Sequence, residues 1–164
     1  MALFFDQEDA LQLVGFHVGS KLLGADILTV REILREPVID TMPDTPSFVK
    51  GVVKLRGAIL PVVYLNRIIG IPQSAPADRL WVLVAQAGEK SVGFIVDDVT
   101  PIIRTTKDAV YQAPDLIISG LRSKYINGVC ETERGLLVVV DLNHVLLEEE
   151  VRAIGRVGSG LREK

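Results

Sequence analysis

The sequence predicts a mainly β protein made of two small barrels packed side by side, with short helices at the corners. Two observations carry this. Short aliphatic and β-branched runs, punctuated by glycine and proline, recur along the whole chain, while helical periodicity is weak and local. The chain also repeats itself. Displaced by 69 positions, Gly19-x-Lys21-x-x-Gly24 falls on Gly88-x-Lys90-x-x-Gly93, and Val30, Ile33 and Arg35 fall on Val99, Ile102 and Arg104. Displaced by 77, Gly51-Val52 falls on Gly128-Val129, and Leu60, Val62 and Val63 on Leu137, Val139 and Val140. In that register Leu65-Asn66 also meets Leu142-Asn143. Chance matches are common in β-rich sequence, but two blocks in the same order, with eight residues inserted between them, argue for a duplication.

Leu11 to Val18 reads as a strand, Gly19-Ser20-Lys21 as its turn and Leu22 to Asp26 as the return. Ile27 to Leu34 reads as one or two helical turns. Val49 to Leu55 and Ala58 to Val63 form a hairpin joined by Arg56-Gly57, because glycine reaches positive φ without steric cost. Leu65 to Ile69 and Leu142 to Leu147 each offer a helical turn. Further strands are expected at Leu80 to Ala85, Val92 to Asp97, Tyr125 to Cys130 and Leu136 to Val140. Each copy then holds about five strands, too few to bury two sheet faces unless the sheet curls on itself, which also removes exposed edges. The expected organisation is one domain over 1–150, made of two intertwined or duplicated β-barrel subdomains at roughly 15–70 and 80–147. Ile71 to Arg79, with Pro72, Ser74 and Pro76, is the link, and 151–164 is expected to be a flexible tail.

At 164 residues, 48% hydrophobic and 24% charged, the chain can bury a core without disulfides or metals. A net charge of −3 gives no argument for phosphate backbones or anionic membranes, and nine aromatics are few for a base-stacking surface, so no nucleic-acid partner is expected. The single Cys130 excludes an internal disulfide and a cysteine metal cluster. The apolar runs are far shorter than a membrane span, and Met1 to Phe5 is too short for a signal peptide. The expectation is a soluble protein of the reducing cytoplasm.

Catalytic equipment is sparse. His17 lies in a strand, His144 follows Asp141 without a zinc spacing, and Cys130 reads as an inert buried thiol. There is no Gly-x-Ser-x-Gly elbow, and Gly155-x-x-Gly158-x-Gly160 lacks the strand that a dinucleotide loop requires. Asp97 and Asp98 point to opposite faces of a strand, and Glu148 to Glu150 form a solvated run. No enzyme activity, cofactor or metal is expected. Attention falls instead on contact residues. Lys54 and Arg56 on the first hairpin correspond to Glu131 and Glu133 on the second, and opposite signs on related surfaces suit head-to-tail contact with a similarly duplicated partner. Ile27 to Leu34 holds more apolar side chains than one turn can hide. It either plugs a barrel end, or Val30 and Ile33 line a groove that takes a partner's apolar helix, with Glu32 on the rim.

The order Ile27-Leu28-x-Val30-x-Glu32-Ile33-Leu34, Pro43-x-x-Pro46-x-Phe48-Val49-x-Gly51-Val52, Leu55-Arg56-Gly57-x-x-x-Pro61-Val62-Val63 resembles the CheW-like domain of bacterial chemotaxis. Val92-Gly93-x-x-Val96-Asp97-x-Val99, Gly128-Val129 and Leu137 to Leu142 extend the resemblance to about Leu11–Leu147. It implies two five-stranded SH3-like barrels and a scaffold without enzymatic activity. Such a scaffold bridges the cytoplasmic tip of chemoreceptors to the regulatory domain of a CheA-type histidine kinase, and meets the membrane only through receptors. By resemblance the receptor groove involves Ile27, Val30, Glu32, Ile33, Arg56, Gly57 and Val99. Kinase contact falls on the barrel ends, with Gly51, Lys54, Glu131 and Glu133 as candidates. Lys54 stands where the family has asparagine and Tyr64 where it has aspartate, so an adaptor of a second chemosensory pathway, for motility or another output, is the alternative reading.

Overall fold

The turn glycines at Gly19 and Gly88 each close an antiparallel hairpin, β1 (Ala10–Val18) with β2 (Lys21–Asp26) and β6 (Trp81–Ala87) with β7 (Lys90–Val96). The computed structural model describes residues 9–72, 80–114 and 123–159. Its other strands are β3 (Val30–Arg35), β4 (Val49–Leu55), β5 (Ala58–Tyr64), β8 (Asp98–Val99), β9 (Ile103–Thr106), β10 (Ile126–Thr132) and β11 (Gly135–Val140). Helices α1 (Leu65–Ile69) and α2 (Glu148–Ser159) complete it, with single 3-10 turns at Ile27–Thr29, Lys107–Ala109 and Ser123–Tyr125.

The strands form two sheets. One runs β3-β6-β7-β5-β4; the other runs β10-β11-β2-β1, with both β8 and β9 on the far side of β1. The second has six strands rather than five because the stretch equivalent to β3 is interrupted at Thr100-Pro101, where proline has no N–H to give to a ladder. Each sheet draws on both halves of the chain. The β1–β2 hairpin lies in the sheet of β8 to β11, the β6–β7 hairpin lies between β3 and β5, and the parallel pairs β11–β2 and β5–β7 seal the exchange. The two subdomains therefore interlock, and neither corresponds to a contiguous stretch of chain. The repeat itself hides this: both hairpins carry the same pattern, so either one satisfies either sheet.

Every central strand has two buried faces. On one face Val14, Phe16, Leu23, Val63, Leu83, Phe94, Val138 and Val140 belong to a large core shared by both sheets. On the other, Val53, Leu60, Val62, Val82, Val84 and Ile95 fill the five-stranded barrel, and Leu13, Leu22, Cys130, Leu137 and Val139 fill the six-stranded one. The repeated glycines fit inside these barrels. A Cβ on Gly24 would lie 2.7 Å from Leu137 Cδ2, and one on Gly93 2.6 Å from Val82 Cγ1.

Three expectations are corrected, and the simplest is Leu142 to Leu147, which forms a turn rather than a helix. Only Ile27–Thr29 of the predicted helical stretch is helical, capped by the Asp26 carboxylate, which accepts from Leu28 N at 3.0 Å. Val30–Arg35 is an edge strand, because β6 offers a pairing partner and the alternation of exposure suits a half-buried pleat. The expected tail is a helix over 148–159, tied down by a fully buried Ile154 in the shared core. Of the expected link Ile71 to Arg79, Ile71 is buried in the shared core; residues 73–79, the N-terminal segment 1–8 and residues 160–164 lie outside the described residues.

Candidate functional site

The apolar candidates meet at the rim of the shared core. Directly opposed residues of an antiparallel pair share a sheet face. Val30 lies opposite Ala85 and Ile33 opposite Leu83, and Ala85 and Leu83 both belong to the shared core. From the other sheet, Val99 lies opposite Phe16. Ile27, Val30 and Val99 pack against this core while staying partly open, and Ile33 is 38% exposed on the same face. Two further large apolar side chains, absent from the sequence-based site, are exposed in the neighbouring segments. Leu28, on the capped turn beside Ile27, is 87% exposed, and Ile102, which the 69-residue displacement places on Ile33, is 40% exposed. The repeat register was the signal for Ile102; for Leu28 it was the surplus of apolar side chains in its segment.

Glu32 and Arg56 belong to a different surface. Because β3 is a strand, Glu32 faces away from Ile33; its neighbour across the ladder is Val84, inside the five-stranded barrel. Arg56 Nη1 reaches Glu32 Oε1 at 2.7 Å, linking the β4–β5 tip to β3 across the barrel mouth. The tip is a two-residue turn between the paired Leu55 and Ala58, with φ of 51° at Arg56 and 80° at Gly57. Left-handed backbone costs a side-chain-bearing residue roughly 1–2 kcal/mol. Arginine sits there at that cost, with its guanidinium held by Glu32. The pair borders a cleft of about 830 Å³ lined by Arg31, Leu60, Val84, Lys90 and Ser91 among others.

The second barrel repeats the arrangement with altered charge. A cleft of about 680 Å³ is lined by Ile102, Arg104, Glu131, Glu133 and Arg134. Lys54, Glu131 and Glu133 are solvent-exposed, as contact candidates must be. Gly51 is not. It is buried at a β-bulge, and a Cβ there would collide with the carbonyl oxygen of Asp40, whose strand segment bridges Val52. Gly51 is buried, and its lack of a side chain makes room for the Asp40 backbone. The predicted groove set therefore divides into an apolar rim, Ile27, Val30, Ile33 and Val99, and a charged mouth, Glu32, Arg56 and Gly57.

The histidines are held by carboxylates. His17 Nδ1 lies 2.6 Å from Asp98 Oδ1, and His144 Nδ1 lies 2.8 Å from Asp141 Oδ2. Asp97 Oδ2 accepts from Gly19 N, so the two aspartates clamp β8 to the end of β1. Cys130 is buried, and burial pushes its thiol pKa up, away from thiolate chemistry. Among the described residues no group of three or more His, Cys, Asp or Glu is placed to hold a metal ion, and no helix is long and apolar enough to cross a membrane.

The family model described as CheW-like domain matches residues 12–150. The chain belongs to the CheW-like family. The chemotaxis protein CheW of Rhizobium meliloti is 33% identical over 142 residues, covering 87% of this chain and 91% of that protein. Protein PilI of Pseudomonas aeruginosa is 30% identical over 135 residues, covering 80% of this chain and 75% of that one. In fold, the chain resembles the crystal structure of the scaffolding protein TtCheW from Thermoanaerobacter tengcongensis, with a TM-score of 0.74, 24% identity, and coverage of 84% of this chain and 88% of that one. Membership places the chain among the chemotaxis scaffolds and adaptors, with the two-subdomain β architecture of that family.

Proposed function

We propose that this adaptor couples the cytoplasmic tip of chemoreceptors to the regulatory domain of a CheA-type histidine kinase, without catalysing a reaction itself. The observation that carries the reading is the half-open apolar rim formed by Val30 and Ile33 from one sheet and Val99 from the other. A rim at the junction of two rigid sheets suits the apolar face of a receptor helix, laid against it by anchors spaced along the helix. The barrel mouths carry the kinase contacts in this reading. Coupling follows from differential affinity: contacts that favour one arrangement of the kinase shift its equilibrium by the difference in binding free energy.

Calorimetric titration with receptor-tip fragments and with the kinase regulatory domain tests both contacts. Val30→Asp should weaken receptor binding by about 30-fold or more, because a carboxylate pressed into an apolar contact loses its hydration unpaired. Arg56→Glu sets two carboxylates facing across the mouth and should weaken one of the two partners while leaving the fold intact. Unchanged affinities in both titrations would remove these surfaces from the adaptor's function. The alternative reading, an adaptor serving a second pathway, is favoured by Lys54 and Tyr64 and by similarity that extends to a protein named other than CheW. Titrating each CheA-type kinase of the organism in turn decides it, since a second-pathway adaptor binds one and ignores the chemotaxis kinase.

A further inference from the structure

At the opposite end of the five-stranded barrel lies a cluster that belongs to neither surface above. Strand β5 runs from the Arg56-Gly57 tip to Tyr64, about 20 Å at an ordinary strand rise. The Tyr64 ring has two cations against it. The Arg67 guanidinium, from α1, lies 4.1 Å from the ring centroid, and the Lys50 ammonium, from β4, lies 5.7 Å from it. Arg67 also donates to the carbonyl oxygen of Ser47, which holds the guanidinium over the ring. Among the described residues neither cation forms an ion pair.

Comparison with the second barrel makes this cluster informative. The 77-residue displacement sets Asn127 on Lys50, Asp141 on Tyr64 and His144 on Arg67. There Asp141 and His144 satisfy each other at 2.8 Å. The flanking apolar positions are unchanged in role: Leu65 and Leu142, Ile68 and Val145, Ile69 and Leu146 are all buried. One frame thus carries an internally satisfied pair in one copy and two uncompensated cations on an aromatic face in the other.

We infer that Lys50, Tyr64 and Arg67 form a docking site for an acidic segment of a partner protein. Stacking on the ring holds both cations in place, so a carboxylate meets donors whose rotamers are already restricted, and less entropy is lost on pairing. The guanidinium offers a fork that matches a carboxylate in two hydrogen bonds. Compact phosphate sites converge backbone N–H groups on one point. Here the donors are side chains from two elements spread around a ring, which fits carboxylates distributed along a peptide. This site rests on neither the apolar rim nor the barrel mouth, and its failure would leave both standing.

The test is an NMR titration of the isotope-labelled full chain with hexaglutamate, with hexaglutamine and inorganic phosphate at matched ionic strength as comparisons. Hexaglutamate should shift amides at Ser47, Lys50, Tyr64 and Arg67, and Arg67→Gln should weaken it at least about fivefold. Tyr64→Phe, which keeps the ring, should retain binding, and Tyr64→Asp, which installs the second copy's residue, should abolish it. Spectra of the free variants report whether each remains folded. The proposal falls if hexaglutamine acts equally, if phosphate alone reproduces the shifts, if the shifts centre on Arg56 instead, or if Tyr64→Asp binds as the parent does. Receptor and kinase titrations on the Val30 and Arg56 variants are separate readouts, so the two readings fail independently.

Discussion

Gly51 and Gly128 occupy the same place in the two copies, and both are glycine because another backbone passes over them. The Asp40 segment bridges Val52 beside Gly51, and Tyr111 bridges Val129 beside Gly128, whose Cβ would lie 2.6 Å from the Tyr111 carbonyl oxygen. Gly24 and Gly93 are small for a softer reason, since the atoms they would meet are tips of Leu137 and Val82. Backbone held in a ladder cannot retreat, whereas a leucine can change rotamer. Gly51→Ala should therefore destabilise by about 3 kcal/mol or more, and Gly24→Ala by about 1–3 kcal/mol. Urea titrations of the two variants check the order, and equal midpoints would refute the distinction. At this scale the sequence displayed the glycines through the repeat but not their cause, because Asp40 and Tyr111 lie outside the matched blocks. It also placed Glu32 and Ile33 together as helical neighbours. The alternation of a strand sends Glu32 to Arg56 and Ile33 to the shared core, a choice set by pairing with β6 rather than by local propensity.

Among the elements, α2 shows most clearly what local reading misses. Two glycines, Gly155 and Gly158, lower its intrinsic helix propensity by about 1 kcal/mol each relative to alanine, and on that ground a frayed tail is the natural expectation. Tertiary contact overrides it. Ile154 is fully buried, Val151 packs against the same core, Glu150 Oε1 accepts from Leu147 N at 2.8 Å, and Glu148 to Glu150 sit favourably in the first turn. The spacing of Val151 and Ile154 was a visible helical signal, but too short a one to outweigh the glycines. Ile154→Ala should cost about 2–4 kcal/mol in chemical denaturation, as for other buried isoleucines. Gly155→Ala should go the other way. Its Cβ would lie 3.3 Å from Lys90 Cε, part of a long flexible side chain that can move aside, so the gain in helix propensity of up to about 1 kcal/mol survives. A thermal midpoint that falls in Gly155→Ala would show that Lys90 is held in place.

On the scale of the whole molecule, a duplicated or intertwined pair of barrels was legible, and which hairpin joins which sheet was not. The sequence specifies the strand pattern of each copy, and both hairpins present Lys, Gly and alternating apolar residues in one register. Which sheet each joins is settled by chain connectivity and by the shared core, where Phe16 and Leu23 of the first half pack with Val138 and Val140 of the second. The exchange has a consequence for folding. A piece ending at Pro72 would hold β1 and β2 but lack β8 to β11, and its β5 would lack β7. A piece starting at Leu80 would be deficient in the mirror sense, with β6 and β7 lacking β3 and β5. Each would expose long unpaired edges and its half of the shared core, so neither should fold alone, and each is expected to aggregate or to pair with a copy of itself. Mixed in equal amounts, the two pieces should re-form both sheets, because no strand pair spans the cut covalently and every ladder can be rebuilt from the two chains. Amide spectra of each piece and of the mixture read this directly: collapsed or broad alone, dispersed and close to the intact chain together. A dispersed, monomeric spectrum from either piece alone would mean that a half can close its own barrel, and that the interlocked topology is one of two arrangements open to this sequence.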